Sequence, residues 1–437
     1  MNNNKTASVA FVTLGCAKNE VDTNNMKERV LQAGYTLVDD PASAQAIVVN
    51  TCTFIQSATE ESLDSIFELA GLPELASGKA KLIVAGCMPA RYGQDLQSEL
   101  TEADAFLPCA EEENIVSVLE ELIGKPSECS PAKASEEALC HAVSQYVKIS
   151  DGCDRFCSYC AIPYIRGRYH SFSFEHINAK VQTARERGAK EIVLIAQDTG
   201  RWGQDFPEPC SLAWLMGTLA ERYPDTWFRV MYLQPEGITD ELLHVMASHR
   251  NICSYLDIPL QHVDPDLLHA MNRKGSAWEF AQLVAHIKSM VPGVVLRTTL
   301  IAGFPGETDE QFEALCDFVD EGYFDYVGVF AYSQEEGTRA AKLPQQLDED
   351  EKAERAQRLR DLADAVCIPR VAARCGQTMD VLVEGFEEDG QLFGRAMCQA
   401  PEVDGVVYVE DAPVGSVVSV VITDTLLYEM EGEYAHE

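Results

Sequence analysis

The segment Asp151-Gly-Cys153-Asp-Arg-Phe-Cys157-Ser-Tyr-Cys160 sets three thiols at spacings of four and three residues, close enough to converge on one metal cluster. Three Cys can hold three irons of a four-iron cluster and leave the last one open to a cofactor or substrate, whereas an electron carrier usually closes all four. Chemistry at an open iron is therefore the first expectation. A zinc site would need a second Cys or Cys/His pair to complete a tetrahedron, and neither His141 nor His170 stands at such a spacing.

A second set of thiols is spread through the N-terminal third. Residues 9–14, 46–50 and 81–85 are apolar, β-prone runs, followed by helical patterns near 20–33, 57–70 and 90–99. This alternation predicts an open parallel α/β sheet over residues 6–123. Cys16, Cys52 and Cys87 fall just past the three strands, 36 and 35 residues apart. Carboxyl ends of parallel strands share one edge, where such sheets bind ligands, so three loops can bring three thiols together. A small buried residue at a strand end is the plain alternative for each Cys taken singly. Their common register favours a second cluster with an open iron.

Residues 124–142, rich in Lys, Pro, Ser, Glu and Ala, read as a linker. From 143 to 373, six strand candidates (146–149, 191–196, 228–233, 254–258, 294–302 and 326–331) are separated by helical patterns such as 174–187, 212–222, 278–290 and 309–321. Repeated strand and helix units predict a partial (βα)6 barrel, with the Cys153 loop following its first strand on the ligand-binding face. Gln197 and Asp198 end the second strand, and Gly303 and Gly306 end the fifth. These glycines would let backbone approach a ligand, while Thr308 and Gln311 form a capping box; an ordinary capped turn is the alternative. For Gln197 and Asp198 the alternative is polar loop residues near a helix start; His262 reads as a hydrogen-bonded structural residue, with lining of the cavity as its alternative. The charged helical run 348–374 closes this domain. Residues 375–437 hold five short strand candidates, 379–384, 392–397, 406–409, 417–421 and 426–429, which predict a small five-stranded β-barrel.

A chain of 437 residues, 46% hydrophobic, exceeds one core and implies two or three domains. Its net charge of -36 opposes broad attraction to nucleic acid and favours a basic partner, the alternative being acidity that merely keeps the protein soluble or reflects an acid-biased proteome. From Gly376 onward fourteen acidic side chains face a single basic one, Arg395, too few cations for phosphate contacts and suited to a basic protein partner. No run reaches membrane-spanning length and no signal segment is evident, so a cytoplasmic protein with reduced thiols is expected. The remaining Cys residues (109, 129, 140, 210, 253, 316, 367, 375 and 398) show no ligand spacing and read as free thiols or core.

The Cys153/Cys157/Cys160 triplet resembles the signature of radical S-adenosylmethionine (SAM) enzymes. Three N-terminal Cys and a terminal small barrel, similar to a TRAM domain, resemble the methylthiotransferase branch of that family over nearly the whole chain. Leu14-Gly-Cys16-Ala-Lys-Asn19-Glu-Val-Asp22, Lys148-Ile-Ser-Asp-Gly-Cys153, Gln197-Asp198-Thr199, Tyr255-Leu-Asp-Ile-Pro-Leu-Gln-His262 and Gly394-Arg-Ala-Met-Cys-Gln-Ala-Pro-Glu-Val-Asp404-Gly are similar to motifs of the ribosomal protein S-twelve methylthiotransferases. Tyr232-Leu-Gln-Pro235 departs from the Tyr-x-Tyr-Pro run usual in that branch. The transfer-RNA methylthiotransferases are the near relatives and the rival.

The resemblance implies two 4Fe-4S clusters, one on Cys153, Cys157 and Cys160 with SAM on its open iron, the other on Cys16, Cys52 and Cys87 carrying the sulfur to be transferred. It implies Tyr159 beside the adenine, with Gln197, Asp198, Gly303 and Gly306 completing the cofactor pocket. A first SAM would methylate the sulfur and a second would give a 5'-deoxyadenosyl radical that removes hydrogen from the β-carbon of an aspartate in ribosomal protein S-twelve. A reductant protein such as a flavodoxin or ferredoxin is implied as partner, and the alternative substrate is a tRNA adenosine derivative.

Overall fold

A computed structural model describes residues 7–126 and 142–435. The linker expected at 124–142, with Cys129, Cys140 and His141, falls almost wholly outside them, as do the outer ends of the expected terminal domains.

The N-terminal unit runs β1 (Ser8–Thr13), α1 (Ala17–Gln32), β2 (Thr36–Leu37), β3 (Ala46–Thr51), α2 (Gln56–Ala70), α3 (Pro73–Ala76), β4 (Lys81–Gly86), α4 (Cys87–Glu99), β5 (Ala105–Pro108) and α5 (Ile115–Ile123). Its sheet is parallel throughout, in the order β2-β1-β3-β4-β5. Every residue of β3 is buried, which is why that strand reads as an unbroken apolar run: helices cover both faces of a parallel sheet. Two corrections concern the helices. α1 and α4 begin three residues earlier than their patterns predict, so Cys16 caps α1 and Cys87 opens α4. In α1 a mostly polar first turn hides the start of the helix, whereas in α4 the buried run Cys87-Met88-Pro89 continues the apolar character of β4.

The core continues with β6 (Ser144–Lys148), β7 (Ser150–Asp151), α6 (Ile162–Ile165), β8 (His170–Ser171), α7 (Phe174–Glu186), β9 (Glu191–Ile195), α8 (Leu212–Arg222), β10 (Trp227–Val230), α9 (Asp240–Ser248), β11 (Tyr255–Asp257), α10 (Pro265–Ala270), α11 (Ala277–Met290), β12 (Val295–Ala302), α12 (Asp309–Asp320), β13 (Tyr326–Ala331) and α13 (Glu349–Ala372). Six of the strands form two parallel sets of three, β10-β9-β6 and β11-β12-β13, joined by one parallel bridge between Phe228 and Ile252. β6 and β13 do not pair, so the barrel stays open. α1 lies beside β6 and α13 along β13. α12 starts at Thr308 with the expected capping box to Gln311.

The chain ends in a closed barrel of β14 (Thr378–Phe386), β15 (Leu392–Ala396), β16 (Val407–Val409), β17 (Val417–Leu426) and β18 (Glu429–Tyr434), in the order β14-β15-β16-β18-β17. The strand expected at 426–429 is in fact the turn between β17 and β18. Leu427 sits there at φ 55°, a left-handed conformation that no Gly announces.

Alternation along the core strands places the barrel. Ile192 and Leu194 face the surrounding helices, whereas Val193 and Ile195 face inward and pack with Met231, Tyr255, Val383 and Ala396. The C-terminal barrel therefore seats against the concave side of the core. Glu191 holds Arg229 at 2.7 Å and also binds Arg395, which reaches Glu384 at 2.6 Å and Ser144 at 2.7 Å. Arg395 is 3% exposed, so the barrel's one basic side chain is spent on this seam and its outer surface bears no Lys or Arg. Burial alone would raise the Glu191 carboxyl; Arg395 and Arg229 nonetheless hold it at about 2. Because the folded value lies below the ordinary 4.5, this pairing stabilises the seam above about pH 4.5 and is lost as pH falls toward 2. Arg395→Met, which removes one of the two cations from buried Glu191 and the partner of half-buried Glu384, should cost about 3 kcal/mol in chemical denaturation at pH 7, and its penalty relative to the unsubstituted protein should shrink as pH falls below 4.5.

Candidate functional site

The N-terminal triad is built at the carboxyl ends of β1, β3 and β4. Gly15 and Gly86 precede Cys16 and Cys87 with φ of 94° and 93°, and a Cβ at either would lie 2.4 Å from Cys52 Cβ or 2.1 Å from Asn50 Oδ1. Only Gly fits there, and it turns the chain so that the next residue's thiol faces the shared edge. Asn19 staples the loops: its Nδ2 donates to Leu14 O and Thr51 O at 2.9 Å, and its Oδ1 accepts from Cys16 Sγ and Cys87 Sγ at 3.8 Å each. Ser62 fixes Cys52 through both its backbone N–H and C=O. Cys16 and Cys87 both stand at helix N-termini.

The core triad sits in the loop between β7 and α6. Ser158 N donates to Met271 O at 2.9 Å, Ala340 N to Ser158 O at 2.7 Å, and Asn272 Nδ2 to Arg155 O and Phe156 O. Four contacts from two distant segments thus set the loop before any ligand arrives. Burial pushes Cys153 up to about 11 and Cys160 up to about 12, so both must shed protons to bind iron. Among the described residues neither triad has the geometry to hold a single metal ion. A cluster spaces its thiolates farther apart, because each Cys binds a different iron. The donor set, three thiols per loop system with no carboxylate or imidazole among them, fits that group.

The N-terminal triad touches the segment that follows the core triad. Cys87 packs against Ala161 and Ile165, the residues that follow Cys160 into α6. Arg166, at the end of α6, points its Nη2 at Asp22 (2.9 Å), Asn19 Oδ1 (3.1 Å) and Cys87 Sγ (3.8 Å), and its Nη1 at Asp151 (3.3 Å). Lys148 lies 2.5 Å from both Asp22 and Asp151. Cys109, just past β5, donates to Ile165 O at 3.5 Å and lies beside Cys87; hydrogen bonding with Cys109, and then Arg166, brings Cys87 down to about 7 despite its burial. Cys109 lacks the 35-residue spacing that marks the triad, so the sequence left it as an ordinary thiol. Arg166 carries no sequence signal, since its N-terminal partners Asp22, Asn19 and Cys87 lie 79 or more residues away.

On the rim, the pocket residues differ in what they offer. Gln197 is partly buried, and neither its Oε1 nor its Nε2 has a partner among the described residues. Asp198 is fully buried, holds Arg155 at 2.6 Å and leaves Oδ1 unpartnered. Both behave as groups waiting for a polar ligand. Tyr159 packs against the main core with its phenol pushed well above its ordinary value by burial. At Gly303 the expected open approach is taken by the protein itself: a Cβ there would lie 2.7 Å from Lys352 Cγ, and its N–H already donates to Glu307. Gly306 N–H donates to Gln345 O. His262 is buried, accepts from Asp264 N at 3.0 Å and lies 3.6 Å from Glu307, the structural role expected of it.

Comparison with known proteins decides the family. Residues 8–108 match the family described as uncharacterized protein family UPF0004, residues 147–319 the radical SAM superfamily and residues 375–434 the TRAM domain. Proteins named ribosomal protein uS12 methylthiotransferase RimO are 39% identical in Geobacter sulfurreducens and 40% in Natranaerobius thermophilus, each over 98% of this chain and 99% of the relative. The chain belongs to the uS12 methylthiotransferase family. The radical SAM methyltransferase TsrM from Kitasatospora setae, solved with cobalamin and a [4Fe-4S] cluster, superposes with TM-score 0.53 at 14% identity over 75% of this chain and 74% of that one. The cobalamin-dependent SAM radical enzyme OxsB gives 0.51 at 11% over 83% and 57%. Both likenesses speak for the shared core fold. Replacing Cys16, Cys52 and Cys87 by Ala together should halve the iron of the reconstituted protein, as should replacing Cys153, Cys157 and Cys160, whereas Cys210→Ala should leave iron analysis unchanged.

Proposed function

We propose that this protein inserts a methylthio group at the β-carbon of an aspartate in ribosomal protein uS12. The observation that carries the proposal is the packing of Cys87 of one thiol triad against Ala161 and Arg166, just past the other, in a chain whose full-length relatives bear that activity in their names. Cys153, Cys157 and Cys160 hold one 4Fe-4S cluster with SAM, and Cys16, Cys52 and Cys87 hold the other. When bound, these groups supply a carbon-centred radical at one end of the site and a transferable sulfur at the other.

The chain's own residues do the positioning. The loop from Cys153 to Cys160 is tied to Met271, Asn272 and Ala340, which limits how far its thiols can stray. Gln197 and the unpartnered oxygen of Asp198 hydrogen-bond SAM, and Tyr159 stacks beside its adenine. Gly303 and Gly306 shape the rim as backbone. Asn19 and Arg166 fix the second triad's orientation to the first and offset its negative charge. Seating of the C-terminal barrel fills the concave side and keeps bulk water from entering there.

Substrate choice follows charge. The barrel's outer surface, all acidic, attracts a Lys- and Arg-rich ribosomal protein and repels tRNA. No helix among the described residues is long and apolar enough to cross a membrane. A cytoplasmic setting beside the ribosome, with a flavodoxin or ferredoxin as electron donor, completes the proposal. With reductant and SAM, the anaerobically reconstituted protein should add the mass of one methylthio group in place of hydrogen to an aspartate of uS12, read by mass spectrometry. The same gain on a tRNA adenosine would overturn the substrate. Cys16→Ala should abolish the gain while SAM cleavage continues, because the core triad is untouched.

A further inference from the structure

Lys18 is the second residue of α1, two positions past Cys16, yet its ammonium stands 3.2 Å from the ring centroid of Tyr232, which follows β10 of the core. It thus lies where the N-terminal unit and the core rim face one another. Its side chain is partly buried, and among the described residues no carboxylate bonds to it. Of the anionic groups that act on it through space, Cys16 belongs to the N-terminal triad, and Asp257 and Asp151 are committed elsewhere. Asp257 holds Arg297 at 3.0 Å and accepts from Tyr232 N at 3.1 Å; Asp151 holds Lys148 and Arg166. In a chain of 70 acidic residues, a half-buried cation without a carboxylate partner is a place kept for an incoming anion.

We infer that Lys18 grips the carboxylate of the substrate aspartate and so determines that an aspartate is taken. This rests on the reading of the protein as a uS12 aspartate methylthiotransferase. The chemistry fits the position. In aspartate the reacting β-carbon bears the carboxylate directly, so holding the carboxylate fixes the carbon to within one bond, beside the triad that begins at Cys16. Tyr232 gives the ammonium a rigid, apolar seat through its ring face. Tyr232 itself is held at φ 63° by the hydrogen bond from its N–H to Asp257, so the seat is set by the core strands and not by a mobile loop. An asparagine in place of the aspartate has the same shape and lacks only the charge.

The test is binding of recombinant uS12 to the full-length, cluster-loaded protein by isothermal titration calorimetry, with the modified residue as Asp or as Asn. The unsubstituted protein should bind the Asp form roughly tenfold more tightly than the Asn form, the worth of one charge-assisted hydrogen bond. Lys18→Arg should keep that preference and Lys18→Met should bring it to within about twofold. Absence of any preference in the unsubstituted protein overturns the inference without recourse to a variant, and so does a preference that survives in Lys18→Met. Loss of SAM binding in Lys18→Met with the preference intact would assign the ammonium to the cofactor's carboxylate and likewise overturn it. Methylthiolation of tRNA by the unsubstituted protein, with uS12 left unmodified, would instead defeat the functional reading on which the inference stands.

Discussion

One buried guanidinium holds the two halves of this protein in working relation. Arg166 comes from the segment that carries the core triad, six residues past Cys160, and ends among Asp22, Asn19 and Cys87 of the N-terminal unit. With Lys148 it forms a compact set of two cations and two carboxylates, Asp22 from α1 and Asp151 from β7. Buried ion pairs of this kind add little net stability, because desolvation consumes most of their attraction. What they impose is geometry: any shift of one unit against the other would strand a charge without water or partner. The spacing of the triads is therefore guarded by the cost of disorder at Arg166 and not by the area of the interface.

A second constraint is local. Three of the six triad cysteines, Cys16, Cys87 and Cys153, each follow a glycine at positive φ, and the space a Cβ would need is filled at Gly152 by Arg168 O at 2.2 Å. The thiol's direction is encoded in the residue before it. Gly-Cys at the end of a strand is thus the local statement of the site, and Arg166 the long-range one.

These two kinds of information differ in how far the sequence exposes them. Strands buried on both faces, such as Ala46–Thr51, stand out as apolar runs, and the parallel order follows from the helices between them. The strand-end register of Cys16, Cys52 and Cys87 was legible for the same reason. Short or half-exposed strands were not: Thr36–Leu37 and Ala105–Pro108 have too little pattern, and Cys109 at the end of the latter went unplaced with it. At Leu426–Glu429 an apolar turn mimics a strand. Gly303 misleads in the opposite sense, since a glycine required by the close pass of Lys352 looks identical in sequence to one that admits a ligand. Arg166, Lys18 and Asn19 owe their roles to partners brought from distant segments, which no periodicity announces.

The seating of the C-terminal barrel bears on how the chain is made. Glu191 and Arg229 lie in core strands, but Arg395, Met397 O and Asp404, which complete their hydrogen bonding and that of Tyr255 and Arg297, come from the barrel that is made after them. Until that barrel docks, the concave face of the core carries charged groups with only half their partners, open to water. Docking of the barrel is consequently the step that turns a wet half-barrel into a rigid cradle, so the order in which the chain is made is also the order in which its buried charges find their partners.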